Sequence, residues 1–170
     1  MSLVDFLNGT SPDHQGRYLR DIWDFNDNAI EQTHDFIQWI FPLTEKSMSV
    51  PGVPTLSAED VEAIRTSEVA RANLEKSSQW YLDFLRRNDH WIKSYDHNHL
   101  RITRVMKSIS LLVSKDLATS LLNSIYEINA NSYDVNKLLG IALIAQKKYN
   151  GALKCFEKCY EIKQNDFWIY

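Results

Sequence analysis

Cysteine, glycine and proline are scarce in this chain of 170 residues, which holds two, five and four of them, and long apolar runs are absent. So few glycines and prolines argue against a β-rich or disordered protein. No segment reaches the roughly 18 apolar residues of a membrane span, and the early Asp5 is not typical of a signal peptide. Cys155 and Cys159 lie four apart on one predicted helix, a spacing that rarely permits a disulfide. We therefore expect reduced thiols and a cytoplasmic location.

Charge of one sign is also lacking. The net charge of −3 offers no general attraction to nucleic acid or to an anionic membrane. Hydrophobic residues make up 44% of the chain and aromatic residues 12%, which is enough for a substantial core. Apolar alternation never persists long enough to indicate a strand. The sequence predicts an all-α fold of about seven or eight helices.

The segment "NDNAIEQTHDFIQWIFP" gives the strongest helix signal in the first half of the chain. Asn28 and Glu31 resemble a capping box, and Pro42 ends the run, so one helix is predicted between them. His34 and Gln38 lie four residues apart and are predicted to form a buried polar pair. Trp39 lies off the apolar stripe and must contact a second neighbour.

Residues 42–57 contain three prolines and a glycine and form the one long linker. It is apolar enough to lie across the helices. Beyond it, Ser57 with Asp60 caps one helix, and Thr66 or Ser67 caps another that runs to about Arg87. We expect an N-terminal helical part over residues 1–98 and a second part over 99–170.

The second part contains an internal repeat, because "YEINAN" at 126–131 recurs as "YEIKQN" at 160–165. An offset of 34 residues with two helices per unit resembles tetratricopeptide repeats. The sequence therefore predicts two helical hairpins, in which Gly140 and Ala152 permit close helix approach. The residues predicted to line the groove of these repeats are Thr103, Lys107, Lys137, Ile141 and Ile144.

Three stretches resemble the conserved region of the opioid growth factor receptor family, especially its short bacterial-type members: "DFLNGTSPDHQGRYLRDI" (5–22), "HDFIQWIFPL" (34–43) and "HNHLRITRVMKSI" (97–109). The resemblance spans about residues 3–128 and implies a compact helical domain. It makes His34, Gln38, Trp39 and Pro42 family-motif residues with a structural role. It implies neither a catalytic residue nor peptide-hormone binding, since the long repetitive tail of the vertebrate receptors is not in this sequence.

The stretch "HNHLRITRVMK" at 97–107 leaves several readings open. Asn98 is a plausible N-cap, and Arg101, Arg104 and Lys107 project from one side of the helix that follows. Such a face is usually solvated or paired with carboxylates. Alternatively His99 and Arg101 bind a phosphate or another anion at the helix start.

Three functions follow in order of preference. The first is a non-enzymatic module that binds a protein or peptide in the repeat groove, without a cofactor. The second is phosphate or nucleic-acid binding through Arg101, Arg104 and Lys107. The third is an enzyme with a metal at His14, His97 and His99, although a full set of metal ligands is absent.

The C-terminal residues 167–170, "FWIY", form an apolar tail directly after the last predicted helix. A soluble monomer rarely exposes such a patch. We expect the tail either to fold back over the last hairpin or to form a homodimer, with Trp168 substantially buried.

Overall fold

A computed structural model describes residues 2–47 and 50–167, with only the backbone of residue 167, and it is all-helical over these residues. The predicted all-α class is confirmed. The tail residues 168–170, including the expected burial of Trp168, lie outside the described residues. In chain order the helices are α1 Leu3–Leu7, α2 Leu19–Trp23, α3 Asp27–Gln32, α4 Ile37–Ile40, α5 Ala58–Thr66, α6 Glu68–Arg87, α7 His97–Leu112, α8 Lys115–Ile128, α9 Tyr133–Ala145 and α10 Tyr149–Phe167.

Ten helices are thus present in the described residues where seven or eight were predicted. The difference lies in two short elements. Helix α1 has five residues, and the segment predicted as one helix from Asn28 is divided into α3 and α4. The N-cap of α3 also differs from the prediction. It is Asn26 rather than Asn28, and the side chain of Asn26 accepts a hydrogen bond from the Ala29 N–H at 2.8 Å.

The predicted starts of α5 and α6 are confirmed. The Ser57 hydroxyl accepts the Asp60 N–H at 3.0 Å, while the Asp60 carboxylate accepts the Ser57 N–H at 2.9 Å. This reciprocal capping box satisfies two donors that a helix start leaves free. At α6 the Ser67 hydroxyl accepts the Ala70 N–H at 3.1 Å.

One apolar core joins the two parts of the chain, since its buried residues run from Leu3 to Cys155. The largest fully buried side chains include Trp39, Trp91 and Tyr81. The Pro-rich segment 42–57 packs at both ends: Leu43 and Leu56 are buried, and the Leu56 N–H donates to the Leu43 carbonyl at 2.9 Å. Helices α5 and α6 both contact α7, so the first half of the chain packs against the second.

The repeat segment forms two successive hairpins, α7–α8 and α9–α10. Helix α9 packs against both α7 and α8. Gly140 lies where α9 meets α10, and a Cβ at this position would stand only 2.8 Å from the Cζ atom of Phe156. Glycine is therefore required for the observed approach of the two helices.

No helix of the described residues combines the length and the hydropathy needed to cross a bilayer.

Candidate functional site

The face of α7 that carries Arg101, Arg104 and Ser108 points into the protein. The residues follow one another at positions i, i+3 and i+7 and so share one side of the helix. Arg101 is 7% exposed, and its guanidinium donates to the carbonyls of Ile30 and Thr33, both at 2.8 Å. This guanidinium also lies over the ring of a neighbouring aromatic residue, 5.5 Å from its centroid. The side chain serves as a cap for the C-terminal carbonyls of α3.

The other two residues of this face hold the next turn of the chain. The Arg104 Nε atom donates to the Phe41 carbonyl at 2.9 Å, and the Ser108 hydroxyl donates to the Pro42 carbonyl at 2.9 Å. Burial lowers the pKa of Arg104, while the Glu45 carboxylate acts in the opposite direction. These bonds join two of the three family-like stretches, one around residue 40 and the other on α7.

The expectation of a solvent-facing basic side on α7 is therefore wrong for two of its three cations. The face is covered by residues 30–45, whose backbone carbonyls take up the donors of Arg101 and Arg104. Only Lys107 stays exposed, and its ammonium lies 3.2 Å from the Glu45 carboxylate. Thr103, the other groove candidate on α7, donates its hydroxyl hydrogen bond to the His99 carbonyl at 3.1 Å.

The start of α7 also differs from the prediction. Asp96 rather than Asn98 is the N-cap, because its carboxylate accepts the Asn98 N–H at 2.9 Å. His99 is fully buried: Nε2 donates to the Trp91 carbonyl at 2.9 Å, and Nδ1 lies 3.1 Å from the Ser132 hydroxyl. His99 thus connects α7 to the start of α9 and is not available to an anion at the surface.

The three histidines weighed as metal ligands have separate partners. His14 pairs with Asp35 at 3.1 Å and His97 with Glu31 at 2.7 Å, whereas His99 is bonded as described above. In the described parts of the chain, no group of three histidine, cysteine or acidic side chains is arranged to hold a metal ion.

Glu31 forms the centre of a polar cluster that the sequence did not reveal. Its carboxylate contacts His97 at 2.7 Å, His90 at 3.1 Å and the Asn98 amide at 3.1 Å. Burial alone would raise the pKa of Glu31, but the hydrogen bonds and the neighbouring imidazoles outweigh it and hold that pKa below its ordinary value. Asn98 in turn accepts the hydroxyl hydrogen of Tyr81 at 2.7 Å, inside the core.

The predicted pair of His34 and Gln38 does not form. His34 is exposed before the start of α4 and lies edge-on to the His97 ring, at 6.3 Å between centroids. Gln38 is buried, and its Oε1 atom has no hydrogen-bond partner in the described residues. The break between α3 and α4 separates the two residues, since the spacing of four places side chains together only within a continuous helix.

Trp39 meets the second neighbour that the sequence required. Its ring packs edge-on against Phe6 at 5.3 Å and stacks on His14 at 5.7 Å, measured between ring centroids. Beside this pair lies a cleft of about 310 Å³, completed by residues 50–54. The cleft is largely apolar and lies within the first two family-like stretches and the Pro-rich segment.

The groove candidates on α9 occupy a different environment from those on α7. Lys137 is exposed, and Ile141 and Ile144 are 53% and 47% exposed. About half of each isoleucine side chain therefore faces solvent.

Sequence reasoning missed Arg17, Glu31, Asn129 and Ser132 as members of the polar framework. Arg17 bridges two carboxylates, Asp13 at 2.7 Å and another at 3.0 Å. The amide of Asn129 donates to the carbonyls of Trp91 and Lys93. Apart from the Asp13–Arg17 pair, the partners in this framework lie far away in the sequence, at separations such as 21, 33 and 67 positions, which local patterns do not report.

Comparison with known proteins finds relatives by sequence. The opioid growth factor receptor of Rattus norvegicus is 30% identical over 57% of this chain and 20% of the receptor. The Mus musculus receptor is 32% identical over 53% of this chain and 17% of its own length, and the opioid growth factor receptor-like protein 1 of Mus musculus is 26% identical over 57% and 25%. The chain thus spans about a fifth of the length of these relatives, and no solved structure matches it.

A family model described as the opioid growth factor receptor conserved region matches residues 11–90. These residues include Trp39 beside the cleft, Glu31, and the backbone carbonyls that accept hydrogen bonds from α7. The family predicted by the motifs is therefore confirmed for residues 11–90, which belong to the opioid growth factor receptor conserved region.

Proposed function

We propose that the chain is a non-enzymatic binding module that holds an apolar protein or peptide segment on the exposed face of α9. The residues that contact the segment are Lys137, Ile141 and Ile144. The two isoleucines supply apolar area to be buried, and the lysine supplies a polar rim.

One observation carries this proposal, namely that the equivalent face of the preceding repeat is already occupied. The offset of 34 places Leu138, Ile141 and Ala142 of α9 at the positions of Arg104, Lys107 and Ser108 of α7. In α7 these residues hold the chain at positions 41–45. In α9 the same positions are apolar, and Ile141 faces solvent. Leu138 and Ala142 pack against the core, so the apolar surface left at this face is that of Ile141, and it suits an apolar segment.

The comparisons support a binding role in general, because the relatives are named as receptors. The chain covers only about a fifth of those receptors. The partner is therefore proposed by its chemical class alone, as a segment with apolar side chains. A reducing, cytoplasmic location suits the two free, buried thiols, whose pKa values are raised by burial. Anion binding is the less favoured alternative, since carbonyls take the donors of Arg101 and Arg104.

The test is selection of a displayed peptide library on the intact chain, followed by affinity measurement of the selected peptides. The wild type should select peptides with a shared apolar pattern. The double variant Ile141→Glu/Ile144→Glu should weaken their binding by at least about tenfold, which corresponds to about 1.4 kcal/mol.

The matched control is Val69→Glu/Ile92→Glu, which places the same charges at apolar positions that are also exposed but lie outside the repeats. This variant should bind like the wild type. Failure to select any common pattern, or equal weakening by both double variants, would contradict the proposal.

A further inference from the structure

Exposed lysines accompany the exposed isoleucines of the last hairpin. Between Asp134 and Glu157 the chain contains no acidic residue but four lysines, although its net charge is −3. No carboxylate of the described residues forms an ion pair with any of the four. The four lysines, all exposed, are Lys137, Lys147, Lys148 and Lys154.

Three of these lysines lie at the two ends of the isoleucine pair. Lys137, Ile141 and Ile144 follow one another at positions i, i+4 and i+7 and so lie on one side of α9. At the C-terminal end, the Lys147 N–H donates to the Ile144 carbonyl at 2.9 Å, and the Lys148 N–H donates to the carbonyl one residue earlier at 2.8 Å. These bonds hold both lysines at the end of α9. We call the two isoleucines and these three lysines the α9 surface.

Helix α7 shows which kind of segment covers such a surface in this fold. The chain at 41–45, "FPLTE", is bonded to α7 and begins with apolar residues, of which Phe41 and Leu43 are buried. It ends with Glu45, whose carboxylate lies 3.2 Å from the ammonium of the exposed Lys107. Apolar side chains followed by a carboxylate thus satisfy a helix face that carries an exposed cation.

We infer that the segment bound on the α9 surface is acidic as well as apolar. Its apolar side chains pack on Ile141 and Ile144, and its Asp or Glu residues, on both sides of the apolar ones, pair with the lysines. This inference rests on the function proposed above and names the class of its partner. A basic segment would instead meet the lysines with charge of the same sign. Because the ion pairs are exposed, they act mainly on the choice of partner and weaken as salt is added.

The first experiment selects peptides on the intact chain from two displayed libraries. Both libraries vary the same apolar positions, but the flanking positions are Asp or Glu in one library and Lys or Arg in the other. The acidic library should yield binders, and the basic library should not. The affinity of a selected acidic peptide should fall several-fold between about 50 mM and about 500 mM salt, because salt screens the ion pairs.

The second experiment uses charge reversal to assign the binding to these lysines. Lys137→Glu/Lys148→Glu should weaken the selected acidic peptide by at least about tenfold. The same peptide with lysine in place of its acidic residues should bind this variant better than it binds the wild type. The matched control is Arg20→Glu/Arg86→Glu, which reverses two exposed cations in the first half of the chain and should bind the acidic peptide like the wild type. Circular dichroism checks that each variant is folded.

The outcomes separate this inference from the proposed function. If the unbiased library yields apolar peptides without an excess of acidic residues, and the lysine reversal leaves their binding unchanged, the inference is wrong and the proposed function stands. Failure of every library to yield a common pattern would overturn both. Binding of vesicles of phosphatidylcholine and phosphatidylserine, or of a short DNA duplex, that the lysine reversal abolishes would overturn the inference if no acidic peptide is selected, because the partner would then be of another class.

Discussion

At the scale of single residues, Arg101 shows how a buried cation can be accommodated. Its guanidinium meets the carbonyls at the end of α3, where unpaired acceptors and the negative end of the helix dipole coincide. Planar geometry lets two nitrogens of one group reach two carbonyls at once, which an ammonium does not do. The charge, the planar shape and the hydrogen-bond donors of the guanidinium thus all suit the carbonyls at this position.

Replacement of Arg101 by methionine should therefore destabilise the protein. The carbonyls of Ile30 and Thr33 would lose their donors, at a cost of about 1–3 kcal/mol. Arg101→Lys should fall between the wild type and Arg101→Met. Denaturant unfolding followed by circular dichroism measures the difference.

Lys107→Met on the same helix is the matched control. Its ion pair with Glu45 is exposed, so its loss should change the free energy of unfolding by less than about 0.5 kcal/mol. Similar small effects at both positions would mean that Arg101 does not have the capping role.

The sequence allowed one part of this arrangement to be predicted. The spacing of Arg101, Arg104 and Lys107 placed them correctly on one side of a helix. What covers that side was not predictable, because the carbonyls that accept from Arg101 and Arg104 lie 63 to 71 positions earlier in the chain. Periodicity reports which residues share a face, but not which distant segment packs on it.

At the scale of helices, the α9–α10 hairpin depends on one contact between a backbone and a ring. Phe156 approaches the Cα of Gly140 so closely that a methyl group there would overlap three ring atoms, at 2.8 to 3.1 Å. Gly151 is less restricted, since a Cβ there would lie 3.3 Å from a methyl of Leu143.

Gly140→Ala should consequently destabilise the hairpin by about 1–3 kcal/mol through overpacking, despite the helix propensity that alanine gains. In a Phe156→Leu background the same substitution should be neutral or stabilising by up to about 1 kcal/mol. The four free energies of unfolding of this double-mutant cycle give the coupling.

Gly151→Ala serves as the comparison and should cost less than Gly140→Ala. Stabilisation by Gly140→Ala in the wild-type background would show that the ring can move aside. The close approach of the Phe156 ring would then not explain why position 140 is a glycine.

Local signals predicted most of the helices but not the division of α3 from α4. Serine caps at Ser57 and Ser67 act within four residues of the helix start, and the sequence contains that information in full. The break near residue 34 contains no glycine or proline. Arg101 caps the end of α3, and Asp35 pairs with Arg17 at 3.0 Å, so tertiary contacts outweigh the local helical preference.

At the scale of the whole molecule, Glu31 connects three segments of the chain. Its carboxylate lies on α3 and contacts His90 between α6 and α7 and His97 at the start of α7. Since its pKa is lower in the folded protein than its ordinary value of 4.5, the ionised form is favoured by folding. The stabilisation is therefore fully present above that ordinary value and is lost as the pH falls through the folded pKa.

Glu31→Gln removes this titration and so tests it. The variant should be less stable than the wild type at about pH 7, and the difference should shrink towards about pH 3. Unfolding in urea at a series of pH values measures both curves.

Glu62→Gln is the control for loss of a carboxylate. Glu62 is exposed on α5, and its carboxylate has no ion-pair partner in the described chain, so its difference from the wild type should stay small at every pH. A Glu31→Gln difference that does not vary with pH would contradict the role of the carboxylate.

The bonds from α7 to the ends of α3 and α4 also constrain how the protein is made. On the ribosome, residues 30–42 are synthesised long before Arg101, Arg104 and Ser108 leave the exit tunnel. Until then the carbonyls at the ends of α3 and α4 have water as their partner in place of α7, and the apolar side chains beside them are exposed. Contacts of such long sequence separation form late and slowly. The first ninety residues therefore pass through synthesis as an unfinished domain, which closes only when most of α7 has been made.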